Sequence, residues 1–249
     1  WCLRSDTRLE ERVGTTTTSV LLAYWQRRAL ETVRQETRSQ TVVLTTSTMA
    51  QALDQQSTTA TTIERISLEP IQTWFDQKGW TPLPFQQNTW QAYLAGASGL
   101  IQVPTGSGKT LAAVMGPIAR MLADEPGRKG IRLLYLTPLR ALSRDLTLAI
   151  QEPIQAMQWP LRVGTRNGDS SSGERSKQLR SPPQILVTTP ESLTLLLSNP
   201  KGEALFESLD TVVLDEWHEL MGSKRGSQTE LCLSWLRQQR PQPVSYTHL

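Results

Sequence analysis

Residues 99–110 read GLIQVPTGSGKT, and this stretch decides the fold. Its first five residues are mostly apolar, its middle is a turn of small residues, and Lys109 opens a segment with helical periodicity. Gly116-Pro117 interrupts that segment, so we expect a bend there. The stretch predicts a strand, a glycine-rich turn and a helix with one apolar face, formed by Leu111, Val114, Met115, Ile118 and Leu122.

The same alternation continues along the chain. Apolar runs typical of buried strands recur at 132–136, 161–165, 184–188 and 211–215, with helical segments between them. This order predicts an α/β fold, a parallel sheet whose strands are joined by right-handed crossovers and flanked by helices on both faces. Such folds bind ligands at the carboxyl ends of their strands, so we expect the functional residues in the loops that follow these runs.

The glycine-rich turn has the chemistry of a phosphate-binding loop. Small residues let successive backbone N–H groups surround a phosphate, and the N-terminus of the following helix adds its dipole. The pattern GxxxxGK[ST] is met except at Val103, where glycine is expected. Lys109 supplies a charge for the β and γ phosphates, and the Thr110 hydroxyl can ligate Mg²⁺. The predicted nucleotide-binding residues are Thr105, Gly106, Ser107, Gly108, Lys109 and Thr110.

Two adjacent carboxylates end the last apolar run, which reads VVLDEWHEL at 212–220. Asp215 and Glu216 repel each other at the end of a buried strand, so either they are solvated or a cation lies beside them. A magnesium ion on a bound triphosphate would be that cation. We then expect Asp215 to hold Mg²⁺ and Glu216 to orient and deprotonate the attacking water. Glu216 and Lys109, the latter through its charge on the phosphates, are the predicted catalytic residues.

Composition divides the 249 residues into three parts. Residues 1–65 are rich in threonine, with TTTT at 15–18, and predict a poorly ordered or partly helical appendage of unknown role. Residues 66–243 carry the α/β pattern. Residues 244–249 read VSYTHL, which is similar to translated sequencing-adapter sequence, so we exclude this tail from the fold. With Trp1 in first place, we expect a fragment cut at both ends.

The charge balance and the cysteines narrow the function classes. A net charge of +3 permits a polyanionic partner without requiring one. No apolar run reaches the roughly 18 residues that a membrane span needs, and no secretory signal is visible. Cys2 and Cys232 form no metal or disulfide pattern, which indicates a reducing compartment, and we expect a cytoplasmic protein with no membrane partner.

The order of six segments resembles that of superfamily-two helicases. They are TPLPFQQNTW (81–90), VPTGSGKT (103–110), TPLRAL (137–142), TRNGD (165–169), TTPESL (188–193) and DEWHELMGSKRGSQTEL (215–231). The last block resembles the Lhr (large helicase-related) family, and more narrowly the bacterial ligase-associated DEXH-box helicases. The resemblance covers about residues 66–240 and leaves residues 1–65 unmatched.

The resemblance implies the first RecA-like lobe of an ATP-dependent DNA helicase or translocase. It implies ATP and Mg²⁺ as cofactors, movement from 3′ to 5′, a role in DNA repair and a functional link to a DNA ligase. Gln86 falls where these helicases read the adenine edge. His218 would couple the nucleotide and nucleic-acid sites, although an ordinary polar residue is the alternative. A Ser-Ala-Thr motif is expected near residue 245, where SYTHL stands, so we expect the second RecA-like lobe to be missing.

The same comparison implies contacts to single-stranded or duplex DNA. Donors at strand ends can meet phosphates, and the predicted set is Thr137, Arg140, Thr165, Asp169, Thr189 and Arg225. Simpler roles compete: Arg140 as a solvated helix residue, Thr189 with Pro190 as a helix start, and Thr165 and Asp169 as turn residues. Arg225 and its neighbour Lys224 can instead pair with Glu219.

Three other functions remain open. Backbone contacts do not separate DNA from RNA, so an RNA or RNA:DNA-hybrid helicase is the first alternative. A non-catalytic nucleotide-sensing module is the second, and Glu216 argues against it because such a module needs no general base. A small-molecule kinase is the third, and the DEWH and TPLRAL strings disfavour it.

Overall fold

The computed structural model describes residues 66–104, 106–124, 128–220 and 223–239, and the backbone of residues 245–248. The predicted appendage at residues 1–65 and Thr105 of the glycine-rich turn lie outside these ranges. None of the helices in the described ranges has the length and apolar character to cross a membrane.

Helices and strands alternate through the described chain. The helices are α1 (Glu69–Gln77), α2 (Pro84–Leu94), α3 (Lys109–Ala123), α4 (Arg140–Ala156), α5 (Ser172–Arg180), α6 (Pro190–Leu197), α7 (Trp217–Leu220) and α8 (Lys224–Gln239), with a 3₁₀ turn at Glu203–Phe206. The strands are β1 (Gly99–Leu100), β2 (Leu133–Leu136), β3 (Val163–Arg166), β4 (Ile185–Thr188), β5 (Thr211–Leu214) and β6 (Ser245–His248).

These strands form one sheet in the order β1-β6-β5-β2-β4-β3, and every neighbouring pair is parallel. Leu133 of β2 lies between Ile185 of β4 and Thr211 of β5, so the three central strands begin and end together. All four side chains of β2 have no solvent exposure. Since alternate side chains of a strand point to opposite faces, helices cover both faces, and the predicted flanked parallel sheet is confirmed.

Helix α3 packs its predicted apolar face into the core. Val114, Met115 and Ile118 are fully buried, and the helix continues through Pro117 to its end at Ala123. Gly116 lies where α2 crosses, since a Cβ atom there would stand 3.3 Å from the Cα atom of Trp90. Gly116 therefore allows α2 to pack closely against α3.

The first and the last strand in chain order differ from the sequence-based expectation. β1 spans only Gly99–Leu100 of the predicted 99–103 run, because the chain leaves the sheet early to enter the glycine-rich turn. Residues 245–248, which we had excluded from the fold, form β6 between β5 and β1. Their exclusion from the sheet was wrong, because strand pairing uses the backbone and accepts many side chains. The adapter origin of the tail stays a prediction.

A buried ion-pair network holds the amino-terminal edge of the sheet. Arg132, directly before β2, is 3% exposed. Its Nε atom donates to Oδ2 of Asp210 at 2.8 Å, and its Nη2 atom pairs with Asp124 at the end of α3. Arg128 adds a second contact to Asp210 at 3.2 Å. The network therefore ties α3, β2 and the segment before β5 together.

We predict that Asp210→Asn lowers the free energy of unfolding by about 3 kcal/mol, because it removes one carboxylate from the buried guanidinium of Arg132. Glu207→Gln removes a carboxylate from an exposed position three residues away, and this control should stay within about 0.5 kcal/mol of the parent. Urea unfolding measures both. Equal stability of the two variants would contradict the structural role of the network.

Candidate functional site

The glycine-rich turn adopts a backbone that only glycine takes at low cost. Gly106 and Gly108 have φ angles of +77° and +88°, in the left-handed region. The Ser107 hydroxyl donates to the carbonyl of Pro104 at 2.6 Å and closes the turn on itself. Helix α3 begins directly afterwards at Lys109, so its N-terminal N–H groups and dipole lie at the end of the turn.

Gln86 fastens this turn to helix α2. Its side-chain oxygen accepts from the backbone N–H of Leu83 at 2.9 Å, and its Nε2 atom donates to the carbonyl of Gly108 at 3.2 Å. A Cβ atom on Gly108 would stand 2.6 Å from that nitrogen. Both ends of the carboxamide are therefore engaged by protein, and Gln86 is 3% exposed. The structure gives Gln86 a role in holding the turn, while its contact with adenine stays a prediction.

Lys109 faces the carboxylate pair predicted from the sequence. Its Nζ atom lies 3.5 Å from Oε1 of Glu216, with 17% and 25% of the two side chains exposed. These residues lie far apart in sequence, and they meet because α3 starts at the same edge of the sheet at which β5 ends. The turn, Lys109, Thr110, Asp215 and Glu216 thus form one site, which we call the nucleotide site.

Asp215 is the buried member of the carboxylate pair. It is 6% exposed, and burial raises the pKa of its carboxyl group, as does the negative charge of Glu216, while Lys109 opposes the rise. Its backbone N–H donates to the carbonyl of Leu136 at 2.8 Å, so the end of β2 fixes its position. A carboxylate held this way is stabilised by any further cation that approaches it.

Glu216 has a strained backbone. Its φ angle is +46°, a conformation that costs a non-glycine residue on the order of 1–3 kcal/mol. His218 lies beside it, with Nδ1 3.4 Å from Oε2 of Glu216 and Nε2 3.4 Å from Oε1 of Glu219. The His218 side chain is 63% exposed. It therefore contacts the nucleotide site through Glu216, and its coupling role stays a prediction.

The residues of the nucleotide site fit a magnesium nucleotide. Mg²⁺ is usually held by one or two carboxylates together with substrate phosphates. Asp215 offers one carboxylate, Thr110 offers a hydroxyl on the first turn of α3, and the glycine-rich turn offers backbone donors for phosphate. Asp215 and Thr110 are therefore the residues that would hold the ion.

A second group of predicted residues gathers around the GTRNGD turn, whose first three residues belong to β3. The guanidinium of Arg140 lies against this turn, since a Cβ atom on Gly168 would meet its Cζ atom at 2.8 Å. The Thr165 hydroxyl bonds to that of Thr147 on α4. Asp169 is exposed, but its carboxylate can only accept hydrogen bonds, which makes it a poor partner for phosphate. Arg140 is the residue of this group best suited to a phosphate contact.

Two of the predicted phosphate-contact residues are buried in this structure. Thr137 has no solvent exposure and Thr189 has 1%, although each directly follows a strand of the sheet. The Thr189 hydroxyl donates to the hydroxyl of Ser192 at 3.4 Å inside the protein. Neither hydroxyl is accessible to solvent in this structure, so a phosphate contact by Thr137 or Thr189 would require the surrounding side chains to move, and it stays a prediction.

Arg225 pairs with an acidic residue other than Glu219. Its Nε atom lies 2.7 Å from Oε1 of Glu191 on α6, and its Nη1 atom donates to the carbonyl of Pro138 at 3.2 Å. The expected partner, Glu219, contacts His218 instead. Arg225 therefore joins the loop after β2 to the start of α6, and we call these three residues the arginine clamp. The Arg225 side chain is 46% exposed, and its contact with a phosphate stays a prediction.

Sequence reasoning missed Glu191 and Tyr135. Glu191 stands in TTPESL, where the carboxylate could be recognised only as a complement to an arginine placed elsewhere in the chain. Burial raises the pKa of Glu191, but hydrogen bonds from its own backbone and from Thr189, with the charge of Arg225, outweigh burial and leave the pKa lowered. Tyr135 was noted only as part of a strand, and its hydroxyl was the signal that we overlooked.

Comparisons with known proteins agree on one family. A model of the DEAD/DEAH box helicase family matches residues 83–247. The Lhr helicase/uracil glycosylase of Escherichia coli K12 is 38% identical over 180 residues, which cover 66% of this chain and 12% of that protein. The ATP-dependent helicase Lhr-Core protein 2 of Thermococcus barophilus is 35% identical over 190 residues, covering 70% of this chain and 22% of that protein.

A solved structure matches as well. The Mycobacterium smegmatis helicase Lhr, bound to ssDNA and AMP-PNP, superposes with a TM-score of 0.68 at 34% identity. The match covers 75% of this chain and 25% of that chain. This chain therefore has the RecA-like lobe of such helicases and spans only a small part of the length of its relatives.

The arginine clamp generates a stability prediction. We expect Arg225→Ala and Glu191→Gln each to lower the free energy of unfolding by about 0.5–1 kcal/mol at neutral pH, because the pair is partly exposed. Lys224→Ala removes a neighbouring exposed charge and should have no effect. Thermal unfolding of the three variants is the measurement.

The lowered pKa of Glu191 adds a pH signature. A depressed folded-state pKa gives stability that is present above the unfolded value of about 4.3 and is lost as pH falls through the folded value. Glu191→Gln should therefore destabilise less at pH 3 than at pH 7. An effect of the same size at both pH values would show that the ion pair does not contribute.

Proposed function

Because the chain belongs to the DEAD/DEAH box helicase family, we propose that it is the ATP-binding lobe of an ATP-dependent DNA helicase or translocase of the Lhr type. The observation that carries the proposal is the meeting of Lys109, at the start of α3, with Glu216 and its neighbour Asp215 at the end of β5. A phosphate-binding turn and an acidic pair on one sheet edge are the parts that nucleoside-triphosphate hydrolysis requires.

The residues of the nucleotide site divide the work of hydrolysis. The glycine-rich turn binds the phosphates through backbone N–H groups. When ATP binds, Lys109 leaves Glu216 and pairs with the negatively charged terminal phosphate. Glu216, released from that pair, orients a water molecule and accepts its proton. A bound magnesium ion would supply charge stabilisation on the phosphate oxygens. Asp215 and Thr110 would hold it.

DNA is the substrate that we favour. The Lhr of Mycobacterium smegmatis was solved with ssDNA, and that protein is 34% identical to the matched part of this chain. Arg140 and the GTRNGD turn offer an exposed basic contact next to the loop after β2. The second RecA-like lobe, 3′ to 5′ movement, a role in DNA repair beside a DNA ligase and a cytoplasmic location belong to the same proposal.

Two alternatives have distinguishable consequences. An RNA or RNA:DNA-hybrid helicase would unwind those duplexes in preference to DNA, and unwinding of matched DNA, RNA and hybrid duplexes by the whole protein separates the two. A non-catalytic nucleotide-sensing module would bind ATP without turning it over. The strained backbone of Glu216 disfavours this module, because strain of this kind is retained where a side chain must be held in place for function.

Lys109→Ala tests the nucleotide site. The structure places Lys109 at the turn as the cation that faces Glu216, so we expect its removal to weaken ATP binding and to abolish hydrolysis by the whole protein. Equilibrium binding of a fluorescent ATP analogue and steady-state phosphate release measure the two effects. A variant that keeps a substantial fraction of the parent turnover would overturn the proposed function.

The two carboxylates generate a separate prediction. Glu216→Gln keeps the shape of the side chain but cannot accept a proton, so ATP should bind normally while turnover falls by at least about 100-fold. Asp215→Asn should instead raise the Mg²⁺ concentration needed for nucleotide binding. Magnesium titrations of nucleotide binding compare them. Identical titrations for both variants would contradict the assigned division of labour.

A further inference from the structure

Tyr135 carries a buried hydroxyl that makes no hydrogen bond of ordinary geometry among the residues that the structure describes, although the side chains of Thr110 and Asp215 are near enough to interact with it. It lies in β2, one residue before the end of the strand, and has no solvent exposure. Its ring packs in the core with Leu133, Val187 and Val213. Leaving a buried hydroxyl unpartnered costs free energy, and phenylalanine would fill the same space without that cost. The hydroxyl therefore needs an explanation outside packing.

The polar neighbours of this hydroxyl are two residues of the nucleotide site. Burial raises the pKa of Tyr135 well above its usual value, the charge of Asp215 raises it further, and the side chain of Thr110 lowers it. Tyr135 lies opposite Val213 in the sheet, two residues before Asp215, and the Asp215 N–H donates to the carbonyl of Leu136. The hydroxyl thus lies close to a carboxylate at the end of β5 and to a hydroxyl on the first turn of α3. These are the two residues that fit Mg²⁺, and they come from different elements.

We propose that Tyr135 is a positioning residue of the nucleotide site: when the metal nucleotide binds, its hydroxyl donates to the Asp215 carboxylate and restricts how that carboxylate turns toward the metal. This inference rests on the proposed function. A carboxylate has two oxygens and several lone pairs, so a donor on one side restricts its rotation and leaves the other side for a cation. Groups that hydrogen-bond to metal ligands in this way tune metal affinity without touching the metal.

Tyr93 provides a matched comparison inside the same domain. It is also a buried tyrosine, but its hydroxyl is hydrogen-bonded to Oγ1 of Thr211 at 2.8 Å, at the opposite end of β5 from Asp215. Its hydroxyl has a structural partner, whereas that of Tyr135 has only the nucleotide site beside it. Removing each hydroxyl separates a role in folding from a role in metal binding.

The experiment measures the affinity of a fluorescent, non-hydrolysable ATP analogue for the 249-residue chain, in EDTA and across a Mg²⁺ titration. For Tyr135→Phe we expect an affinity in EDTA within about twofold of the parent. The Mg²⁺ concentration at half-saturation should rise about tenfold, the lower end of what such supporting groups contribute. The thermal midpoint of the ligand-free variant should not fall. Tyr93→Phe should lower that midpoint and leave the Mg²⁺ titration unchanged.

A double variant distinguishes a positioning role from a general disturbance. If Tyr135 acts through Asp215, adding Tyr135→Phe to Asp215→Asn should raise the Mg²⁺ requirement less than twofold further. Additive effects, an unchanged Mg²⁺ titration in Tyr135→Phe, or a loss of thermal stability larger than that of Tyr93→Phe would each overturn the inference. Failure of the parent chain to show any Mg²⁺-dependent binding would instead overturn the proposed function.

Discussion

Negative charge at the end of β5 is the constraint on which the rest of the site depends. Asp215 is buried there, and its burial and the charge of Glu216 both raise the pKa of its carboxyl group. Glu216 follows it in a strained backbone conformation. Lys109 lies 3.5 Å from Glu216 and offsets part of this charge. The arrangement works only if α3 begins beside the end of β5, which in turn requires the tight turn that Gly106 and Gly108 allow.

The parallel sheet extends this arrangement to the segments proposed to bind nucleic acid. The loops after β2, β4 and β5 leave the same edge, so the nucleotide site, TPLRAL and TTPESL are neighbours by topology. Arg225 then links the loop after β2 with α6 through Pro138 and Glu191. The loop after β2 and the start of α6 can therefore move apart only if these contacts break.

Local patterns predicted the elements, and long-range contacts decided what the sequence could not show. Strand positions and the buried face of α3 follow from periodicity, and Lys109, Asp215 and Glu216 follow from residue chemistry at strand ends.

The burial of Thr137 and Thr189 depends on how tightly the core packs around those strand ends. The pairing of Arg225 with Glu191 joins positions on separate helices, and the contact of Gln86 with Gly108 depends on how α2 packs beside α3. The place of residues 245–248 in the sheet was missed because strands pair through backbone hydrogen bonds, and the side-chain sequence of this segment does not indicate that pairing.

The central claim is that the charge at the end of β5 is organised for a metal-bound triphosphate. The most direct measurement is a crystal structure of the chain with a non-hydrolysable ATP analogue and Mn²⁺, whose anomalous scattering locates the metal in place of Mg²⁺. The account predicts a manganese peak between the phosphates, Asp215 and Thr110, with Lys109 on the terminal phosphate and no longer on Glu216. A nucleotide bound elsewhere, or bound here with the Lys109–Glu216 pair intact and no manganese near Asp215, would contradict it.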